Sequence, residues 1–178
     1  MFHADRLAHR FGLVAPLSRD WSVRFVIERK SQMITFIETI EVPLPVGDVF
    51  ERLADMAELH RWNPSVTASR RTGGERFGVG STYESTLRRG PIRVNVCSTL
   101  TGVEPGRSVT YEGSIAGFWS IDTLEFSPSG TGSLVTFRNE SRPPAWMRIF
   151  SPLVNAAFQP QARRAVEGAR RYLDQSID

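Results

Sequence analysis

The chain has 178 residues, 40% of them hydrophobic and 23% charged, with a formal net charge of +3. That is the size of one domain and the composition of a globular one, and no apolar run approaches the ~20 residues of a membrane-spanning helix, so stable membrane insertion is not expected. Its single cysteine, Cys97, excludes an intramolecular disulfide, and His3, His9 and His60 are too scattered for a zinc motif.

Residues 1–32 have no clean period and carry the whole charge excess, with Arg6, Arg10, Arg19, Arg24, Arg29 and Lys30 against Asp5, Asp20 and Glu28. The remainder is electrically balanced, so it is not a polyanion binder by charge and nucleic acid is not an expected partner. The first 20 residues lack the continuous apolar segment of a secretory signal, and a cytoplasmic location is expected. The texture changes at Met33. The upstream segment reads equally as an extension from an early start codon or as an arm packed on the domain. The expected organisation is therefore an N-terminal extension over 1–32 and one domain over 33–178.

Ile34 to Val42 is rich in β-branched and apolar residues and reads as a strand, stopped by Pro43 and Pro45. Val46, Val49, Phe50 and Leu53 follow at helical spacing. Asp55 to Arg61 reads as a second short helix with Met56 and Leu59 inward, closed by Pro64. From Val66 the chain becomes strands and turns: Val66 to Arg71, Ser81 to Arg88, Ile92 to Val103, Ser108 to Gly113, Phe118 to Ser127 and Leu134 to Ser141. Gly90-Pro91, Pro105-Gly106 and Pro128 to Gly132 supply turns, a spacing that predicts an antiparallel meander. After Pro143-Pro144, Trp146, Phe150, Leu153, Val154, Ala157, Phe158, Ala162, Ala165, Ala169, Tyr172 and Leu173 keep 3- and 4-residue spacing, the stripe of one long helix. Pro152 and Pro160 are expected to kink or break its first half.

The predicted fold is α+β: a curved antiparallel sheet of about six to seven strands around a long C-terminal helix, a helix-grip arrangement, with two short helices after the first strand. One helix, about 10 Å across, cannot fill the concavity of a strongly curved sheet. Either large side chains fill the gap or an apolar pocket remains.

The segments Ile40-Glu41-Val42-Pro43, Val49-Phe50, Leu53-Ala54-Asp55 and Trp62-Asn63-Pro64, with the later Val79-Gly80, Val103-Glu104-Pro105, Leu124-Glu125-Phe126, Gly130-Thr131-Gly132 and Val135-Thr136-Phe137, resemble the polyketide cyclase/dehydrase branch of the START-like (SRPBCC) superfamily. The resemblance spans about 33–175 and implies the helix-grip fold. The superfamily includes lipid carriers, hormone receptors, pollen allergens, aromatic polyketide cyclases and coenzyme Q-binding proteins, so function has to be argued from the site.

Alternation points Tyr83, Tyr111, Phe126 and Phe137 inward, where each is either ordinary core or cavity wall. Trp62 reads as a plug at one end of the core or, by the resemblance, as part of a cavity mouth. Trp146, Phe150, Val154 and Phe158 form the inner helix stripe. Gly113 to Trp119 reads as a plain hairpin connection or a lid tipped by Trp119. These ten aromatic and aliphatic residues are the expected ligand contacts. Glu38, Ser85, Ser98, Asp122 and Asn139 are polar residues in apolar strands. A buried carboxylate beside an apolar ligand has a raised pKa and suits general acid or base work, which makes Glu38, Tyr83, Tyr111 and Asp122 the catalytic candidates.

No nucleophile elbow, phosphate loop or metal motif appears, and no cofactor is expected. The leading expectation is binding or carriage of a small hydrophobic molecule, such as a lipid, an isoprenoid or a polyketide-like compound. The alternative is a cyclase, aromatase or dehydratase using one or two acid/base groups in the same cavity. A third reading is a protein-interaction module, for which the sequence names no partner.

Overall fold

A computed structural model of the chain describes residues 33–115, 117–144 and 151–175, with the backbone alone at 89, 115 and 151–159. Seven strands form one antiparallel sheet: β1 Ile34–Val42, β2 Val66–Gly73, β3 Thr82–Arg89, β4 Ile92–Glu104, β5 Ser108–Ile115, β6 Phe118–Ser129 and β7 Gly132–Arg142. Their order is β1-β7-β6-β5-β4-β3-β2, so β2 to β7 are a meander and β1 closes on its end. Helix α1 (Val46–Leu53), a 3-10 turn (Met56–Glu58) and helix α2 (Leu59–Trp62) lead from β1 to β2, and α3 (Ser151–Asp174) follows the sheet. This is the α+β helix-grip architecture the sequence predicts.

Local chemistry sets these boundaries. α1 buries Val49, Phe50 and Leu53 on one side and places Asp48 in its first turn and Arg52 in its last, both favourable to the helix dipole. The predicted second helix is split: Asp55 caps a 3-10 turn by accepting from Ala57 N at 3.0 Å, and α2 begins only at Leu59. Asn63 then turns the chain, its Oδ1 accepting from Ser65 N at 3.0 Å. The expected turn over Pro128 to Gly132 shrinks to two residues, because Ser129 already pairs with Gly132. Pro128 is tolerated inside β6 because β5 pairs with β6 only as far as Glu125, so no neighbour needs the missing N–H.

Of the kink or break expected at Pro152 and Pro160, the break is corrected: α3 runs without interruption from Ser151 to Asp174. Pro152 lies in the first turn, where a missing donor leaves no helix bond unmade. Pro160 is exposed and sits inside the helix without ending it. The helix packs on β1 and α2. Val166, Ala169 and Leu173 are its buried stripe, and a Cβ added at Gly168 would stand 2.1 Å from the Trp62 carbonyl oxygen, so the two backbones touch there. Around this seam Ile40, Val42, Val49, Phe50, Leu53, Trp62, Phe126, Val135 and Phe137 form the core, with Phe50 and Phe126 edge to face at 5.3 Å. Each such side chain stabilises the fold by roughly 1.5–3 kcal/mol when fully buried.

Candidate functional site

The sheet register assembles the inner face in rows. One row runs Phe36, Asn139, Asp122, Tyr111 and Leu100 across β1, β7, β6, β5 and β4. The next runs Ile34, Ser141, Ser120, Gly113, Ser98 and Tyr83, reaching β3. On the other side, Glu38 stands beside Phe137, Leu124 and Val109. Period-2 alternation puts all of these on one face. A register shift between Leu100 and Gly102 reverses the phase of β4 at that point.

The catalytic candidates occupy that face, and three of them are almost fully enclosed: Glu38 is 2% exposed, Tyr83 1% and Tyr111 1%. The Tyr111 hydroxyl donates to Ala54 O at 2.7 Å and accepts from Met56 N at 3.4 Å, which fastens the middle of the sheet to the end of α1. Burial pushes its pKa above the ordinary phenol range, with the neighbouring Tyr83 phenol adding to the rise. The Tyr83 ring meets Tyr111 edge-on at 5.4 Å. Its hydroxyl is buried without a hydrogen-bond partner of normal geometry, and burial followed by the charge of Asp55 raises its pKa.

Glu38 has a buried Oε2 with no hydrogen-bond partner. Burial raises its pKa, opposed by the charge of Arg163 and reinforced by that of Glu167, both on α3. Asp122 belongs to a connected chain. Ser141 Oγ donates to Asn139 Oδ1 at 2.8 Å, Asn139 Nδ2 donates to Asp122 Oδ1 at 2.7 Å, and Ser120 Oγ lies 3.4 Å from Asp122 Oδ2. Burial raises the Asp122 pKa, and the bonds from Asn139 and Ser120 oppose the rise. The face thus offers two carboxyl groups shifted toward their neutral form and two neutral phenols, groups able to donate a proton or a hydrogen bond to a ligand oxygen. Among the described residues no cluster of three or more His, Cys, Asp or Glu side chains is placed to hold a metal ion.

The other expected contacts divide. Phe126 and Phe137 lie in the packed core. Trp62 is buried edge-on against Phe137 at 6.1 Å, and its Nε1 also lacks a partner. Trp119 is on the opposite face, paired with Ser114 and Arg142, with the Arg142 guanidinium 5.5 Å from its ring centre. There it borders an open depression of about 620 Å³ with Thr82, Glu84, Cys97, Thr99 and Glu112. The reading of Trp119 as the tip of an inner lid is therefore corrected: Ile115 already pairs with Phe118, so the connection is a two-residue turn and β5 and β6 fix the tryptophan's direction. Trp146 and Phe150 lie outside the described residues. Val154 and Phe158 fall on α3 where only the backbone is described. Sequence reasoning missed Ser120 and Ser141. Their signal was two polar residues spaced i, i+2, Ser120 with Asp122 and Asn139 with Ser141, which put each pair on one side of its strand.

A curved sheet gripping a C-terminal helix, with acid, phenol and small polar groups set among apolar ones on its inner face, defines a START-like helix-grip protein. The chain belongs to the family described as polyketide cyclase / dehydrase and lipid transport, which matches residues 33–174. No curated protein matches it. Among solved structures, it is similar to TTHA0849 from Thermus thermophilus (14% identity, TM-score 0.68, covering 81% of this chain and 99% of that one). It is also similar to the Zhui aromatase/cyclase from Streptomyces sp. R1128 (10% identity, TM-score 0.68, 82% and 96%). A third is the di-domain aromatase/cyclase StfQ from the steffimycin biosynthetic pathway (12% identity, TM-score 0.66, 82% and 52%). At these identities the likeness establishes the fold.

Proposed function

We propose that residues 33–178 bind and carry a small hydrophobic molecule bearing at least one polar oxygen, of the lipid, isoprenoid or polyketide-like kind, between the inner sheet face and α3. The observation that carries this reading is the row Ser141, Ser120, Gly113, Ser98 and Tyr83. Four small residues lie side by side across central strands where a solid core would hold large aliphatic ones, and at their end a buried phenol hydroxyl has no partner of normal geometry. A buried polar atom without a partner costs free energy, and a ligand oxygen would recover it. In this reading residues 1–32 are an extension to the binding domain, and the protein works in the cytoplasm.

Native mass spectrometry of the purified chain, followed by displacement of a fluorescent apolar probe with lipids, isoprenoid alcohols and aromatic polyketides, tests the proposal. At least one class should bind stoichiometrically and lose affinity in Ser98→Leu, which fills the row. Absence of binding by every class, with the chain folded, overturns it.

A second reading is favoured by the raised pKa values of Glu38 and Asp122. Carboxyl groups shifted toward their protonated form suit a cyclase, aromatase or dehydratase acting on a polyketide-like chain, and the Zhui and StfQ proteins are named as aromatase/cyclases. Turnover of a poly-β-ketone mimic, lost in Asp122→Asn with binding retained, would select this reading over simple carriage.

A further inference from the structure

A second depression lies away from the inner face. It has a volume of about 540 Å³ and is lined by Pro64 and Ser65 before β2, Arg88, Gly90 and Pro91 at the β3–β4 turn, and Arg164 on α3. Two guanidinium groups from separate elements line it, and no carboxylate does.

Five of the described arginines elsewhere, Arg61, Arg70, Arg76, Arg107 and Arg138, are each neutralised by a carboxylate. Among the described residues Arg88 and Arg164 have no such partner. The chain from Ser85 to Val103 contains no acidic residue at all. The pocket is also held in place. Arg88 N donates to Ser65 O at 2.8 Å, joining β3 to the segment before β2. Arg88 Nε donates to Gly90 O at 3.3 Å, which fixes the side chain along the turn, and Gly90 takes a positive φ of 60° that the tight turn requires. Asn63 Oδ1 accepts from Ser65 N and sets the remaining wall.

Two like charges converging on one depression repel each other unless an anion sits between them, and guanidinium forks match the oxygens of phosphate and carboxylate. We propose that this depression is an anion site, gripped by Arg88 and Arg164 with the Ser65 hydroxyl as a further donor, for a phosphate or carboxylate group. The group is either a free anion or the head of an amphiphile. The site stands independently of what occupies the inner face.

The test is an amide-resolved NMR titration of the full chain with two probes, inorganic phosphate and decyl phosphate below its micelle concentration. Saturable shifts should centre on Ser65, Arg88, Gly90 and Arg164 and weaken as sodium chloride is raised. Equal affinity for the two probes assigns a free anion, and tenfold or tighter binding of decyl phosphate assigns an amphiphile head. Both results support the site. The double variant Arg88→Gln/Arg164→Gln should weaken binding at least tenfold, as loss of charged hydrogen bonds does, while Arg170→Gln, on an exposed part of α3 outside the depression, should leave it unchanged. Both residues are exposed, so the melting temperature of the double variant should stay at the parent value. Absence of shifts at these residues with either probe, or an unchanged affinity in the double variant, overturns the proposal.

Discussion

The two halves of the inner sheet face are built differently. Toward β1, α1 and α2, the facing side chains are apolar and closely fitted: Ile40, Val135, Phe126, Phe137 and Trp62 meet the Val166, Ala169 and Leu173 stripe. Toward the other end of β3 to β7 the same face carries Ser98, Ser120, Asp122, Asn139 and Tyr83. A polar residue in a close-packed core is costly unless it is hydrogen-bonded. The first half, with the C-terminal part of α3 seated on it, supplies the apolar burial that leaves the second half free to hold polar groups. Changes in the first half should therefore act on stability, and changes in the second on ligand affinity.

The largest effect should come at the seam of the packed half. In Gly168→Val the new Cβ would meet the Trp62 carbonyl at 2.1 Å and the Pro64 ring at 2.7 Å. Backbone cannot step aside as a flexible side chain can, so α3 must lift from α2. A loss above ~3 kcal/mol, or failure to fold, is expected in urea denaturation. A variant as stable as the parent would show that α3 does not sit this close.

Tyr111→Phe comes next. It removes the bond to Ala54 O and leaves a buried carbonyl at the end of α1 unsatisfied, a cost of ~1–3 kcal/mol by thermal or urea unfolding. Tyr111 belongs to both halves, because its ring faces Tyr83 while its hydroxyl fastens α1, so this variant should lower stability and ligand affinity together.

The sheet was legible because each strand alternates and each turn carries glycine or proline. Ile34 to Val42 and the Gly90-Pro91 turn are read almost to the residue. The helical stripe was legible through Ala169 and Leu173. Three features were not. The direction of Trp119 depends on whether the β5–β6 connection has two residues or more, and the glycines around it permit either. The phase of β4 depends on the irregularity at Gly102, which alternation alone cannot locate. Ser120 and Ser141 pass unnoticed because a serine in a strand usually faces water. Only the register, which sets them beside Asp122 and Asn139, gives them a role.

Glu38 lies in the packed half yet behaves like the polar one, and pH separates the two. Its folded pKa is raised, so below the ordinary glutamate range both folded and unfolded chains hold the proton and no penalty arises. As pH climbs from that range through the raised value, the unfolded chain ionises first and native stability is lost. Glu38→Met removes this loss. The variant should be more stable than the parent by about 1 kcal/mol at neutral pH, with the gap closing as the pH falls to the ordinary carboxylate range. Denaturation at a series of pH values reads it, and a gap that widens in acid would mean that Glu38 is held as a stabilising carboxylate instead.

Tyr83→Phe should have the smallest effect on folding, and it separates a stability role from a binding role most cleanly. The ring keeps its edge contact with Tyr111 at 5.4 Å, and only an unpartnered hydroxyl is deleted. Removing a buried group that makes no hydrogen bond of normal geometry leaves little unsatisfied behind, so the unfolding free energy should hold within ~0.5 kcal/mol of the parent or rise slightly. If that hydroxyl is there to meet a ligand oxygen, the same variant should bind any ligand found for the inner face about tenfold more weakly. Unchanged affinity beside unchanged stability would leave the hydroxyl with no function in the fold or the site, and would move the polar contact of the ligand to Asp122 and Asn139.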